Sequence, residues 1–146
     1  MKKLLAIFML LIFTTPSFAS GIGYINYEEV VNNYQFAKNY MQEIDKRGNE
    51  IQQYLRKKEE EFNKIESPLQ KQKFEATVRN ELEAKEKSFN EFREKREEEV
   101  YTRIHAVAEK IRLEKKLDAL LDARSVFSGG VDITKELIQK LNMVQK

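Results

Sequence analysis

The sequence predicts an α+β fold, mostly α, with a small oligomeric body and one long antiparallel helical hairpin per chain that forms a coiled-coil arm. Two observations predict it. A charged, helix-forming stretch with a sparse apolar repeat runs from Phe36 to Arg112. Short apolar runs that are typical of strands lie on both sides of this stretch. Such a composition is typical of a coiled coil or an extended helix rather than of a globule.

The first residues predict export. Lys2 and Lys3 precede an unbroken apolar run over 4–13, and the small residues Ser17 and Ala19 form a cleavage signal. This apolar run is well short of the roughly 20 residues that span a bilayer. We therefore expect residues 1–19 to be a cleaved signal peptide and the mature protein to be soluble and exported.

Composition excludes several classes of protein. Without Lys2 and Lys3 the basic and acidic residues balance, so the net charge of +2 for the whole chain gives no argument for nucleic-acid binding. The chain has no cysteine, which rules out a disulfide framework, a thiolate metal site and a cysteine-linked lipid anchor. Stability must come from packing alone.

A strand and a short helix are predicted before the arm. The run Gly21 to Ile25 contains aromatic and β-branched residues and is typical of a strand. Asn26, followed three residues later by Glu29, has the pattern of a helix N-cap and its returning partner. A helix is therefore expected from about Tyr27 to Asn33.

The arm is expected to fold back on itself at its tip, near residues 66–68. Proline disfavours helical geometry in the residue before it, so the first long helix should end at about Ile65. Ser67 as N-cap, Pro68 at the first position and Gln70 at the third form a helix start signal. One continuous helix kinked at the proline is the alternative.

Apolar heptads on both sides of this turn predict an antiparallel pair of helices. Folding the chain at Ser67 pairs positions whose numbers sum to about 133, so Ile51 would meet Leu82. The predicted seam of the arm consists of Met41, Ile44, Ile51, Leu55, Val78, Leu82, Phe89 and Phe92.

The polar residues that interrupt the apolar seam also fall opposite suitable residues on the other helix. Lys58 would fall opposite Glu75, and the long stem of Lys85 would lie over Gly48, where space is free. Beyond Arg96 the apolar spacing shifts to steps of four, a stutter that we expect to mark the root of the arm.

The chain ends in short elements again. Leu117 to Leu121 and Ser125 to Phe127 predict two strands joined by a turn at 122–124, and 128–130 predicts a second turn. Asp132 is expected to cap a last helix. The apolar face of that helix is Ile133, Leu137, Ile138, Leu141 and Val144.

These elements divide the chain into a body, made from residues 20–35 and 114–146, and an arm over 36–113. A body of three short strands and two short helices buries little surface. We therefore expect it to assemble with copies of itself.

The chain resembles the OmpH/Skp family of periplasmic chaperones over nearly all of its mature length. The resemblance lies in "GYINYEEVV", the paired charged helices, and "LDALLDARSVFSGGVDIT" followed by "LIQKLN". It implies a periplasmic homotrimer whose three chains share a small β-barrel body and enclose a cavity between their helical arms. It also implies ATP-independent holding of unfolded outer-membrane β-barrel proteins before membrane insertion, with no catalytic motif and no cofactor.

The heptads suggest which residues would hold such clients. The e positions of both helices are polar, whereas the g positions include Tyr40, Tyr54 and Phe74. Aromatic residues offer apolar area without demanding one fixed geometry, so these three are candidate client-binding residues. The alternatives are that the rings shield the thin seam or pack against the next protomer.

The tip of the arm is mildly basic because of Lys64, Lys71 and Lys73. These lysines could steer acidic client segments or make transient contact with lipid headgroups. A solvated tip without a binding role is the alternative.

No catalytic, metal or cofactor site is predicted. His105, the one histidine, has no second histidine or cysteine near it, and the glutamate runs 59–61 and 97–99 are expected to be solvated helix faces. Gly129 and Gly130 lack the context of a phosphate-binding loop. A structural coiled-coil adaptor of the cell envelope, bridging folded partners through its arm tips, is the alternative function, since periodicity and export fit both.

Overall fold

A computed structural model describes residues 21–143 of the 146-residue chain. The predicted signal peptide and Val144 lie outside this range. The mostly helical α+β fold is confirmed. Its elements are β1 (Gly21–Ile25), α1 (Tyr27–Asn33), α2 (Gln35–Asn63), α3 (Pro68–Glu114), β2 (Leu117–Asp122), a 3₁₀ turn (Ala123–Ser125), β3 (Val131–Asp132) and α4 (Thr134–Met143).

The N-cap of α1 also ties the two ends of the chain together. The Asn26 side chain accepts a hydrogen bond from the backbone N–H of Glu29 at 3.0 Å, as the pattern predicts. The backbone N–H of Asn26 donates to the Thr134 hydroxyl of α4 at 2.9 Å, so the returning partner is Thr134 rather than Glu29. Thr134 is only 2% exposed, and this bond satisfies its buried hydroxyl.

The sheet has three parallel strands in the order β2-β1-β3. In the centre, Gly23 leaves room for β2, because a Cβ there would lie 2.5 Å from a Leu120 methyl and 2.7 Å from a Leu117 methyl. These leucines therefore cover the central strand on the face that packs on the helices. Tyr24 pairs with Leu121 on one side and with Asp132 on the other.

The predicted strand over Ser125–Phe127 is wrong; the third strand is Val131–Asp132. The Asp122 side chain accepts a hydrogen bond from the backbone N–H of Arg124 at 2.9 Å and turns the chain into a 3₁₀ helix as soon as β2 ends. The chain then returns to β1 through two glycines at 129–130, which have φ angles of +80° and +91°. The turn predicted over 128–130 is present.

A single cluster of buried residues, here called the body core, lies between the sheet, α1, α4 and the adjoining ends of α2 and α3. Its members are Val30, Tyr34, Ala37, Val100, Ile104, Ala108, Ile111, Leu117, Ile133, Leu137 and Leu141. The core therefore extends into the range 36–113 that the heptads assign to the arm, and residues 100–111 of α3 belong to it. The remainder of the two helices, residues 38–99, is called the arm.

The arm is a helical hairpin and not one kinked helix. Helix α2 ends at Asn63, two residues before the predicted end, and α3 begins at Pro68 with Ser67 in the N-cap position. Both observations follow from the fixed geometry of proline at a helix start. Within residues 21–143 no helix combines the length and the apolar character that crossing a bilayer requires.

Candidate binding surface along the helical hairpin

The two helices of the arm meet through a seam that is nowhere fully buried. Seven of the predicted seam residues are half-buried: Ile44, Ile51, Leu55, Val78, Leu82, Phe89 and Phe92. Met41 differs, because it is 50% exposed and lines a groove at the root of the arm. Two helices alone cannot enclose side chains on all sides, so part of each seam residue stays open to solvent.

Tyr40 bridges the helices close to the root of the arm. Its hydroxyl donates to the backbone carbonyl of Arg93 on α3 at 3.3 Å, which matches the predicted register. Its ring lies 6.3 Å from the Phe92 ring. Partial burial, followed by the negative charge of Glu97, raises the pKa of Tyr40.

Tyr54 bridges the helices near the middle of the arm. Its hydroxyl donates to the carboxylate of Glu81 at 2.5 Å. Partial burial, that hydrogen bond and the charge of Glu81 raise the pKa of Tyr54 to about 12. The ammonium of Lys85 lies 4.8 Å from the ring centre, so its head is directed at this ring, and the space beside Gly48 is open.

Phe74 lies on α3 near the tip. Its ring is 6.3 Å from that of Phe62 on α2, and the ammonium of Lys58 lies 5.5 Å from its centre. Lys58 also donates to Glu61 at 2.8 Å, on its own helix, and Lys58 and Glu75 line one shallow pocket, which agrees with the predicted register. The heptad places backbones correctly, but the long lysine side chain reaches a ring and a carboxylate one turn away.

The three candidate rings therefore share one arrangement. Each is half-buried and contacts both helices, while part of each ring remains exposed. These contacts favour the interpretation that the rings cover the thin seam in the free chain. The exposed parts still offer apolar area to a ligand, so client binding by these rings stays a prediction.

Cations lie over the aromatic rings of the arm, a feature that the heptad analysis missed. Phe92 has the Arg47 guanidinium 3.8 Å from its ring centre and that of Arg96 at 5.6 Å. Near the tip, Lys71 lies 5.0 Å from the Phe62 ring. Such contacts stabilise by about 0.5–1 kcal/mol at exposed sites. The rings are thus covered by charged groups that can move aside without leaving a cavity.

An ion-pair network joins the arm to the body core. Glu99 accepts from Arg96 at 2.7 Å and from Arg103 at 2.8 Å, and Arg103 lies 4.3 Å from the ring centre of Phe36. The hydrogen bonds from Arg103 and Arg96 lower the pKa of Glu99. The prediction of a solvated face for 97–99 is therefore wrong at Glu99, which is half-buried and doubly paired.

A mostly apolar groove of about 700 Å³ lies where the arm joins the body. Its floor contains the buried residues Ala37 and Val100, and its walls include the exposed side chains of Met41 and Tyr101, which are 50% and 57% exposed. Tyr40 also lines it. This volume lies within the roughly 300–1,000 Å³ range of ligand sites. Sequence patterns missed the groove because it combines residues from α1, α2 and α3.

The tip presents basic and apolar groups to solvent. Lys64 and Lys73 are exposed, while Lys71 lies half-buried over Phe62. Leu69, just after the proline, is 62% exposed. The predicted tip lysines therefore accompany an exposed leucine, and whether this combination contacts clients or lipid stays a prediction.

The described part of the chain contains no group of three or more histidine, cysteine, aspartate or glutamate residues that could hold a metal ion. His105 is exposed, and its ring lies 6.0 Å from that of Tyr101. The chemistry of the described surface is thus that of apolar, aromatic and paired charged groups.

The described chain is thus a two-helix arm with a half-covered aromatic seam, set on a small α+β body. The sequence profile of one family, described as outer membrane protein (OmpH-like), matches residues 21–141. The chain belongs to this OmpH-like family.

Comparison with solved structures finds matches. One is the crystal structure of an OmpH-like protein from Caulobacter crescentus, which is 13% identical in sequence with a TM-score of 0.41. The similarity covers 86% of this chain and 85% of that one. No curated protein sequence matches this chain. The family assignment rests on the sequence profile.

Proposed function

We propose that this chain is an ATP-independent periplasmic holdase chaperone. It binds unfolded outer-membrane β-barrel proteins between its helical arms and prevents their aggregation before membrane insertion. The observation that carries the proposal is membership of the OmpH-like family over residues 21–141, which supports a chaperone role. The function needs no cofactor and includes no catalytic step.

The dimensions of the arm suit a holding function. Helix α2 has 29 residues, so at about 1.5 Å per residue it is roughly 43 Å long, and all but its first turn lies in the arm. Because the seam is half-buried and covered by long charged side chains, it can adjust without breaking a core. An unfolded client presents no fixed surface, and an adjustable arm fits that requirement.

The chemistry of the arm also suits an unfolded chain. Tyr40, Tyr54 and Phe74 offer partly exposed rings, and Met41 adds an exposed flexible side chain. Methionine and aromatic residues adapt to many apolar partners, as promiscuous binding surfaces require. These four residues form the client-facing surface in this proposal.

A homo-oligomer, most simply the trimer that the family resemblance implies, is part of the proposal. Within residues 21–143 the sheet has two open edges, β2 and β3. Leu121 on β2 is 38% exposed, and Ile22 on the central strand is 48% exposed. Sharing these edges among copies would cover the apolar side chains and build a closed barrel. The arms of the copies would then surround a common cavity.

The periplasmic location rests on the predicted signal peptide over 1–19 and on family membership. Transient contact of the arm tips with a membrane surface is a further part of the proposal. The exposed Leu69 beside Lys64 and Lys73 combines the apolar and basic groups that favour anionic lipid surfaces.

The test uses residues 20–146 and a β-barrel protein diluted from urea. We expect a soluble complex by light scattering and suppressed aggregation without ATP. Replacing Tyr40, Tyr54 and Phe74 by Ser should weaken this suppression severalfold, because it removes the exposed rings. Replacing the exposed polar residues Lys38, Gln52 and Gln72 by Ser is the matched control.

The outcomes separate the possible roles. Hydrogen exchange of the arm distinguishes binding from shielding, because lost binding with unchanged exchange shows client contact. If the wild-type chain suppresses no aggregation but forms a stable complex with one folded envelope protein, the holdase function is wrong and the adaptor function is correct.

A further inference from the structure

Phe127 has the most exposed side chain among the large apolar residues of the described chain. Its relative exposure is 106%, whereas the next most exposed, Met143, reaches 71%. Burying a phenylalanine side chain is strongly favourable, so a fully exposed one in a structured region indicates an interaction surface.

The loop that carries Phe127 is anchored at both ends. On the N-terminal side, the Asp122 carboxylate accepts hydrogen bonds from the backbone N–H and the guanidinium of Arg124, both at 2.9 Å. On the C-terminal side, Gly130 lies against Tyr24 so closely that a Cβ would be 3.2 Å from its ring. Phe127 is therefore presented by a defined loop.

A groove that could accept such a ring from another copy lies beside β2 and α3. It has a volume of about 340 Å³ and borders β2, whereas the Phe127 loop leads into β3. Its walls are mainly apolar and aromatic, with a few polar groups at the rim. The lining residues are Ile25, Tyr27, Tyr101, Ile104, His105, Ala108, Glu109, Arg112, Leu120, Leu121 and Asp122.

We propose that Phe127 of one copy of the chain docks into the groove beside β2 of a second copy. This inference rests on the homo-oligomer of the proposed function and names the contact that joins its subunits. The protruding ring and the groove are two different surfaces of one chain, so the contact between copies is head-to-tail. A head-to-tail contact repeated between identical copies closes into a ring when the rotation allows it.

The proposal also accounts for the strand-like composition of Ser125–Phe127. Valine and phenylalanine favour strands, yet this segment has no strand partner within the described chain. Docking of Phe127 beside the free edge of β2 brings the segment next to unpaired backbone groups of the neighbouring copy. The missing partner of the segment is then another subunit.

The first test measures assembly of residues 20–146 by sedimentation velocity over a range of concentrations. Phe127→Ala should weaken association by about tenfold or more, since an anchor side chain is lost. Leu69→Ala, which truncates another exposed apolar side chain at the arm tip, is the control and should leave association unchanged. Circular dichroism should show an unchanged fold, because Phe127 packs on nothing in the single chain.

The second test exploits the absence of cysteine from the chain. The double variant Phe127→Cys with Tyr101→Cys should form disulfides between copies under mild oxidation, whereas Leu69→Cys with Tyr101→Cys should not. Disulfides within one chain only, or none at all, would overturn the proposal. So would crosslinks of Phe127→Cys to client cysteines instead of to Tyr101→Cys.

The outcomes keep this inference separate from the proposed function. If the wild-type chain assembles and suppresses client aggregation while Phe127→Ala assembles equally well, only the docking contact is wrong. If the wild-type chain is a monomer at all concentrations, both the docking contact and the homo-oligomer are wrong.

Discussion

The body and the arm of this chain are stabilised in different ways. In the body core, Val30, Ile111 and Leu137 have no exposed surface at all. In the arm, every predicted seam residue stays partly exposed, and rings such as Phe92 are covered by guanidinium groups. Burial stabilises strongly and fixes one arrangement, whereas contacts between cations and rings are weaker and exchangeable.

Helix α3 shows the difference within one element. From Val100 to Ile111 it contributes four buried residues to the core. Between Pro68 and Glu99 it packs mainly on α2, and none of its residues is buried. The face that α3 turns inward changes along its length, because the arm follows heptads and the root follows steps of four. A rigid root with an adjustable distal part is what the proposed holding function needs.

The largest expected effect distinguishes the two regions directly. Leu137→Ala should destabilise residues 20–146 by about 2–5 kcal/mol, since a fully buried leucine leaves a cavity in the core. Leu82→Ala, in the half-buried arm seam, should cost about 1 kcal/mol because solvent already reaches that side chain. Urea unfolding at one fixed protein concentration measures both, and equal losses would show that the arm is packed like the core.

Much of the fold followed from local sequence patterns. The register of the hairpin came from heptads and Pro68, and the Tyr40 to Arg93 hydrogen bond agrees with it. The N-cap at Asn26 was also correct. These features depend on residues near one another in sequence or on a simple repeat.

The failures concern features that the local sequence pattern does not determine: strand partners, very short strands and the ends of long side chains. The strand expected at Ser125–Phe127 lacks a partner in the chain, and strand propensity alone cannot supply one. The two-residue strand at Val131–Asp132 is too short to leave a pattern. The cations over the rings escaped notice because heptads locate Cβ atoms, not the ends of long side chains. The candidate site was therefore predicted as a surface but not as a set of contacts.

A smaller effect is expected at Glu99, where arm and body core meet. The pKa of Glu99 is lowered in the folded chain. The ionised carboxylate therefore stabilises the fold at pH values above 4.5, the ordinary pKa of a glutamate. That stabilisation is lost as the pH falls below 4.5 and through the lowered pKa. In the Glu99→Gln variant, the free energy of unfolding should therefore decrease less than in the wild type as the pH is lowered. Urea unfolding at several pH values measures this decrease. The exposed neighbour change Glu98→Gln is the control, and an equal flattening there would contradict a specific role for Glu99.

The smallest effect is expected at Tyr54 in the middle of the arm. Tyr54→Phe removes the hydrogen bond to Glu81 but keeps the ring, so the loss of stability should be about 0.5 kcal/mol.

The pKa of Tyr54 is raised from 10 to about 12, so the contact is complete below pH 10 and is lost as the pH rises through 12. Absorbance titration should show a tyrosine that ionises near pH 12 in the wild type and is absent from Tyr54→Phe. Tyr101→Phe, at an exposed ring, should keep it. A wild-type chain in which every tyrosine ionises near 10 would mean that the two helices are not held together at this point, and the arm would be looser than its seam indicates.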